Sequence, residues 1–374
     1  MNEKQAVKKE PFLRLSRRDD LPFLKSCGIR LIAVLLALVL CGILLFFLTK
    51  ENAFSVYRTM LYGALGSSRK IWVTVRETMF LLGVAVALTP AFKMKFWNIG
   101  AEGQMLAGAI ATSAVMIYGA NLPAPVLMIC MIGASILAGL VWGFGPAVCK
   151  AKWNTNETLF TLMMNYIAIQ FASFFSVFWE AVKGSGTIGV INKRSKAGWL
   201  PTDFLSGIFG RYNFAIITVI VMALLILVHV YMKYSKQGFE ISVVGESTNT
   251  ARYAGMKVKK VIVRTMLLSS ALAGLMGFLI VSGSSHTVST TTGGSRGFTA
   301  IIVAWLANFN PVVMLIISFF LCVLGQGASQ IATDYNLNES ASDVVCGIVL
   351  FFILACELFA RYRVIVRGRK EDAE

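Results

Sequence analysis

Long apolar runs alternate with short polar stretches along almost the whole chain. A transmembrane helix needs about 20 predominantly apolar residues, and on that scale the pattern predicts about ten transmembrane helices. We predict a polar, basic tail over residues 1–28, a transmembrane domain over 29–360 and a second basic tail over 361–374. The transmembrane domain divides into halves of about 29–180 and about 213–360. The expected fold class is an all-α polytopic membrane protein.

The two predicted halves share a plan. In each half a long helix runs into a glycine-rich polar interruption and then into a short helix. We call these interruptions the first break (residues 93–104) and the second break (residues 283–297). On the predicted topology, the long helices that precede them cross the membrane in opposite directions. Broken helices in corresponding positions and opposite orientation indicate an inverted repeat, with the substrate path at the interface between the repeats.

The first break carries three polar side chains, Asn98, Glu102 and Gln104, between two apolar runs. An unpaired polar group in hydrocarbon costs several kcal/mol, so this segment is expected to face protein or a water-filled cavity. An acidic residue beside an interrupted membrane helix is a functional-site hypothesis. The alternative is a cytoplasmic turn in which solvent surrounds Glu102. Asn165, inside the fifth predicted helix, and Phe298, directly after the second break, complete the predicted path residues.

Two local signals predict how helices begin and pack. Asn154, with Glu157 three residues later, resembles a capping box that begins the fifth helix. Residues 133–145 of the fourth helix are rich in Gly and Ala, which favours close packing between helices.

The distribution of Lys and Arg predicts the orientation. Both tails are basic, so the positive-inside rule places both termini in the cytoplasm. The outer loop, residues 181–212, departs from the rule because it carries Lys193, Arg194 and Lys196. One explanation is a solvated loop whose charges touch lipid headgroups. The other is a docking surface, since complementary charge speeds protein encounters and fixes their register.

The composition agrees with a membrane protein. The chain of 374 residues is 56% hydrophobic and only 14% charged, whereas soluble domains carry about 25% charged residues. The net charge of +16 does not indicate nucleic acid binding, because the charges fall in the tails and connecting loops. That distribution is typical of membrane topology and of contact with anionic lipid headgroups.

No cofactor, metal site or enzymatic activity is expected. The sequence contains no G-x-x-x-x-G-K-[ST] loop to hold a triphosphate, so an ATPase would have to be a separate subunit. A catalytic nucleophile needs a base and an orienting group, and no such set is evident. The cysteines have no paired spacing and are interpreted as small core hydrophobes. They are Cys27, Cys41, Cys130, Cys149, Cys322, Cys346 and Cys356.

Four stretches together resemble the permeases of ATP-binding cassette (ABC) importers. The first is Asn98-Ile99-Gly100-Ala101-Glu102-Gly103-Gln104, which resembles the signature of the ribose, branched-chain amino acid and nucleoside superfamily. Residues 156–166, 245–256 and 297–311 are similar to the fifth span, the cytoplasmic coupling segment and the second-half break of its nucleoside and simple-sugar branch. The resemblance covers about residues 70–330.

The resemblance implies a type II importer fold in a bacterial plasma (inner) membrane. The implied partners are two ABC ATPase subunits, a second homologous permease subunit and an extracytoplasmic substrate-binding lipoprotein. Residues 240–256 are expected to dock into the ATPase. The expected coupling residues are Gly245, Glu246, Asn249, Arg252, Ala254 and Gly255. The outer-loop cluster Lys193, Arg194 and Lys196 is expected to meet the lipoprotein.

Two other function classes stay open on the residues alone. A self-powered secondary transporter can also contain inverted repeats, and Glu102, Asn98 and Asn165 could hold its coupling ion. Such a transporter does not need the charged, glycine-bounded segment at 236–257. A scaffold or receptor subunit needs no substrate path, and the paired breaks argue against it. The permease sequence does not separate a nucleoside substrate from a sugar, since the same polar and aromatic groups suit both.

Overall fold

The described chain is predominantly helical. The structure is a computed structural model and describes residues 13–17, 23–204, 206–210 and 213–366. Most of the two predicted tails therefore lies outside the described residues. The helices are α1 (Phe23–Thr49), α2 (Ala53–Leu65), α3 (Ser68–Lys93), α4 (Ala101–Tyr118), α5 (Ala124–Trp153), α6 (Glu157–Phe178), α7 (Ser206–Phe209), α8 (Ala215–Tyr234), α9 (Lys236–Glu246), α10 (Thr248–Tyr253), α11 (Val258–Ile280), α12 (Arg296–Leu306), α13 (Pro311–Asp334) and α14 (Glu339–Arg361).

The length and composition of the helices agree with the predicted membrane protein. Among the described residues, six helices are long and apolar enough to cross a membrane. They are α3, α5, α6, α8, α11 with its continuation to Ser285, and α13. The predicted total of about ten crossings and the inverted repeat stay predictions.

The chain forms two compact units. One contains the chain up to Gly66 and from Val323 onward, and the other contains Ser67–Cys322. In the first unit α1 packs against α14 and α2. Its strands β1 (Leu13–Arg17) and β2 (Tyr362–Val366) pair antiparallel. The sequence analysis assigned both segments to the basic tails. Leu13–Arg17 begins with the alternation of a strand, whereas Tyr362–Val366 ends in three consecutive apolar residues.

The second unit is built around α11, which packs against α3, α4 and α5. Small residues let these helices approach closely. A Cβ atom at Gly139 of α5 would lie 3.0 Å from Cα of Gly274 of α11, and one at Gly277 would lie 2.5 Å from the backbone nitrogen of Ala109. The close packing predicted for residues 133–145 is present, because Gly139 and Gly143 both lie against α11.

One local prediction needs correction. Asn156, not Asn154, caps α6: its side chain accepts a hydrogen bond from the backbone N–H of Leu159. Asn154 instead ends α5 in the left-handed conformation, with φ 51°, which Asn tolerates better than most residues.

The five cysteines whose side chains are described form no disulfide. They are Cys41, Cys130, Cys149, Cys322 and Cys346. Cys41 is buried as predicted, whereas Cys130 is exposed on α5. The interpretation as a core residue is therefore wrong for Cys130, because an apolar stretch does not indicate which face of its helix other helices cover.

Candidate functional site at the two helix breaks

The first break is non-helical and held by its own amide side chains. The chain is irregular between the end of α3 and Ala101, where α4 begins. Asn98 and Gln104 are buried and paired: each side chain donates a hydrogen bond to the other at 3.1 Å. The Asn98 oxygen also accepts the backbone N–H of Gly100 at 3.0 Å. These polar groups are therefore satisfied by protein, as a segment at membrane depth requires.

Helix α6 supports the first break from the side. The Asn165 oxygen accepts the backbone N–H of Gly103, and its amide nitrogen donates to the carbonyl of Ile99, both at 2.8 Å. The Thr161 hydroxyl oxygen accepts the backbone N–H of Ile99 at 3.1 Å. Two side chains one helical turn apart thus replace backbone partners that the interrupted helix lacks.

Glu102 joins the two breaks. Its Oε1 accepts the backbone N–H of Ser295 at 3.1 Å, and its Oε2 accepts that of Gly297 at 2.7 Å. The carboxylate therefore caps the N-terminus of α12, where negative charge is favourable. Glu102 is only 5% exposed, so the alternative of a solvated cytoplasmic turn is wrong.

Glycines in the second break make room for this carboxylate. A Cβ atom at Gly297 would lie 2.6 Å from the backbone nitrogen of Glu102 and 2.8 Å from its Oε2. A Cβ at Gly293 would collide with Oε1. The glycine content of the second break therefore has a packing reason in addition to the predicted freedom from helical geometry.

An ion-pair network also holds the second break to α3. Arg296 donates to Oε2 of Glu77 at 2.6 Å, and Arg76 donates to Oε1 of the same carboxylate at 2.7 Å. Arg296 also donates to the carbonyls of Thr292 and Gly293. Sequence reasoning did not select Arg296. The signal available in the sequence was an acid and a base, Glu77 and Arg76, inside an apolar span.

Three aromatic side chains in the first break and in α12 are more exposed than the polar residues of the site. Trp97 of the first break stacks on Trp305 of α12, with ring centroids 4.8 Å apart and planes at 14°. Phe298 is 40% exposed, unlike Asn98, Glu102, Gln104 and Asn165, which are buried. The structure therefore brings four predicted path residues into or against the first break and leaves Phe298 on the accessible surface of α12.

The predicted coupling segment folds as two short helices, α9 and α10. Gly245 is buried, and a Cβ there would lie 3.1 Å from Cα of Met94, at the end of α3. The other five predicted coupling residues are exposed; they are Glu246, Asn249, Arg252, Ala254 and Gly255. Tyr253, which sequence reasoning did not select, is 94% exposed. The segment thus combines an accessible surface with a direct contact to the start of the first break.

The outer loop is fixed to the second break. Trp199 stacks on His286 with ring centroids 3.7 Å apart and planes at 3°. The backbone N–H of Leu200 donates to the carbonyl of Ser282, and that of Ile191 donates to the carbonyl of His286, both at 2.9 Å. Lys193, Arg194 and Lys196 are exposed on this anchored loop.

The chain belongs to the family described as the permease component of the branched-chain amino acid transport system, whose model matches residues 70–354. It is thus the permease component of an ABC importer and an integral protein of the plasma membrane. Such a component transports and does not catalyse, and it works with separate ATPase subunits. The resemblance predicted from the four motifs is confirmed.

Three similar proteins indicate which branch of the family the chain resembles. A glucose ABC transporter permease protein of Haloferax volcanii is 30% identical over 361 residues, which cover 94% of this chain and 93% of the relative. A guanosine ABC transporter permease protein of Bacillus subtilis is 30% identical over 331 residues, covering 86% and 91%. A nucleoside ABC transporter permease protein of Lactococcus lactis is 27% identical over 300 residues, covering 79% and 82%. These similarities support the nucleoside and sugar branch.

Proposed function

We propose that this subunit forms the translocation path for a nucleoside or a related simple sugar in a bacterial importer. The observation that carries the proposal is the capping of α12 by Glu102, because it joins the two breaks into one unit. A conformational change at either break is thereby transmitted to the other. The names of the three relatives, which include guanosine, nucleoside and glucose permeases, support the substrate class.

Within this path, the buried polar residues brace and the exposed aromatic residues contact substrate. Asn98, Gln104, Asn165 and Glu102 use their polar atoms on neighbouring protein groups, so their role is to hold the breaks in place. Phe298 is accessible for ring contact with a base or with the apolar face of a sugar.

The proposed assembly has about ten transmembrane helices arranged as an inverted repeat, both termini in the cytoplasm and a second homologous permease subunit beside this one. Lipid surrounds it, and a binding lipoprotein delivers the substrate from outside. On the inside, α9 and α10 dock into the ATPase. The exposed positions Arg252, Tyr253 and Ala254 on one short segment support this docking role.

The experiment is uptake into proteoliposomes that contain the complete complex and its lipoprotein. We expect radiolabelled guanosine or glucose to enter only when ATP is supplied to the ATPase side, and to continue entering after an ionophore collapses ion gradients. Uptake that needs an ion gradient but no ATP would support the secondary-transporter alternative instead. Competition by unlabelled nucleosides and sugars then identifies the substrate class.

One variant tests the coupling segment. Ala254→Trp places a large ring on the exposed docking surface, and we expect it to separate ATP hydrolysis from uptake through steric clash while the subunit still inserts. Gly347→Ala, a small change in open space, is the control. Normal uptake by the Ala254→Trp complex would place the coupling surface elsewhere.

A further inference from the structure

A second feature of the cytoplasmic side is a cavity of about 620 Å³ next to the coupling segment. Its walls come from the end of α5, the beginning of α11 and the junction between α9 and α10. Its inner wall includes Met94, Lys95 and Phe96, which lead into the first break. An occupant of this cavity would therefore contact both the coupling segment and the chain two residues before Asn98.

The cavity is strongly basic. Among the described residues, the charged side chains that line it are Lys95, Lys150, Lys152, Arg252, Lys259, Glu157 and Glu246. Lys150 and Glu157 form an ion pair at 2.8 Å and neutralise each other. Lys95, Lys152, Arg252 and Lys259 then face one remaining carboxylate, that of Glu246, and all five of these residues are exposed.

An anionic group bound in the cavity would reduce the repulsion between these positive charges. Four cations around one half-open space repel one another, and the space between them is large enough for side chains from another molecule. Potentials of opposite sign across an interface steer association and fix its register. The apolar lining residues Phe96, Val244 and Ile262 provide walls of low polarity, within which a charge pair interacts more strongly than in bulk water.

We propose that this cavity receives a carboxylate-bearing segment of the ATPase subunit. The proposal rests on the proposed function, in which that subunit docks on α9 and α10. Arg252 belongs to both surfaces, because it is exposed on the coupling segment and lines the cavity. The two subunits thus make two contacts. The coupling segment of the permease enters the ATPase, and an acidic segment of the ATPase enters the permease.

A segment of the ATPase bound in the cavity would also transmit movement of the ATPase to the translocation path. A carboxylate held by Lys95 acts directly on the lead-in to the first break, which is the segment that Asn98, Gln104 and Asn165 brace. Gly245 transmits the same movement from the other side, through its close packing against Met94. Both routes end at the first break and, through Glu102, at α12.

The test compares two double variants with equal change of charge. Lys152→Glu with Lys259→Glu reverses two cations that line the cavity. Lys233→Glu with Lys260→Glu reverses two exposed cations of α8 and α11 that do not line it. Binding of purified ATPase subunit is measured to each permease in nanodiscs of pure phosphatidylcholine. A Lys152→Gln, Lys259→Gln variant covers the case in which charge reversal prevents folding.

We expect the cavity variant to bind the ATPase at least about tenfold more weakly than the control variant at low salt. The difference should shrink near 1 M salt, where the Debye length is about 3 Å. Equal binding by the two variants overturns the proposal. It is also overturned if the difference appears only after anionic phosphatidylglycerol is added, because the cavity then holds a lipid headgroup. Failure of the wild-type permease to bind the ATPase would instead contradict the proposed function.

Discussion

At the scale of single residues, the capping of α12 explains why the ionisable side chain of Glu102 is buried in this helical core. Helix α12 begins after Ser295, whose side chain makes no capping hydrogen bond in the described structure. The N-terminal N–H groups of a helix lack partners within it. The two carboxylate oxygens of Glu102 supply partners for two such groups. The favourable interaction with the helix N-terminus offsets part of the cost of removing the charge from water.

Replacing Glu102 by Gln should weaken this cap. A glutamine amide offers one acceptor oxygen, so one of the two N–H groups of Ser295 and Gly297 loses its partner. A buried donor without a partner costs about 1–3 kcal/mol. We expect a lower midpoint of thermal unfolding in detergent and reduced uptake. Glu51→Gln, which changes an exposed carboxylate with no assigned role, is the control. Unchanged unfolding and uptake in the Glu102 variant would show that the cap is dispensable.

Gly297→Ala tests the same contact from the other side. The new Cβ would lie 2.6 Å from the backbone nitrogen of Glu102, so α4 and α12 must separate. Overpacking of this kind costs about 1–3 kcal/mol. We expect uptake to fall at normal expression. The matched control is Gly133→Ala, because a Cβ at Gly133 meets nothing within 4 Å; equal uptake by both variants would rule out a tight contact at Gly297.

At the scale of elements, the outer loop and the second break behave as one structure. The π-helical turn Val281–Ser285 ends α11, and both Ser282 and His286 accept backbone hydrogen bonds from the loop. The Ser282 hydroxyl also donates to the carbonyl of Gly198 at 2.5 Å. A partner that moves this loop therefore moves the segment that leads into α12.

Trp199→Ala should loosen this attachment. The stack on His286 brings an aromatic contribution of about 0.5–1.5 kcal/mol beyond the buried area, and the Trp199 indole N–H donates to the carbonyl of Ile191 at 3.0 Å. We expect faster hydrogen exchange across residues 187–200 in the purified protein. Trp153→Ala, at an exposed tryptophan on α5, should leave that exchange as it is. Slow exchange in the Trp199 variant would mean that the backbone hydrogen bonds hold the loop alone.

At the scale of the whole molecule, the exposed basic residues fall into two groups with different proposed roles. The basic cavity and the exposed coupling segment lie on elements predicted to be cytoplasmic, whereas Lys193, Arg194 and Lys196 lie on the predicted outer loop. The positive-inside rule explains the former and not the latter. A basic cluster on an anchored outer loop fits a soluble, acidic partner that must be oriented over the path.

Reversing Lys193, Arg194 and Lys196 to Glu should slow association with the binding lipoprotein and reduce the dependence of that rate on salt. The physical reason is loss of electrostatic steering, which is screened beyond about 10 Å at 0.1 M salt. Association is measured by stopped flow on the reconstituted complex. The Lys233→Glu, Lys260→Glu variant, on the predicted cytoplasmic side, serves as the control, and an unchanged rate at low salt in the outer triple variant would exclude steering.

The sequence by itself determined the membrane class, the positions of both breaks and the family. These properties depend on local composition: apolar runs of spanning length, glycines and amides that interrupt them, and motifs whose residues are neighbours in the chain. The alternation in β1 was accessible in the same way and was missed. Asn98 and Gln104 were also recognisable as a site, since they are polar side chains within one interruption, but their pairing became visible only in the structure.

Only the tertiary structure decided what the site residues contact. Glu102 caps residues 193 and 195 positions away, and Arg296 pairs with Glu77 at a separation of 219. Hydropathy is a property of each local stretch and carries no information about which distant stretch will lie beside it. The close approach that selects these partners arises from small residues on facing helices, so the role of Glu102 as a cap between the breaks emerges only when α4, α11 and α12 are packed together.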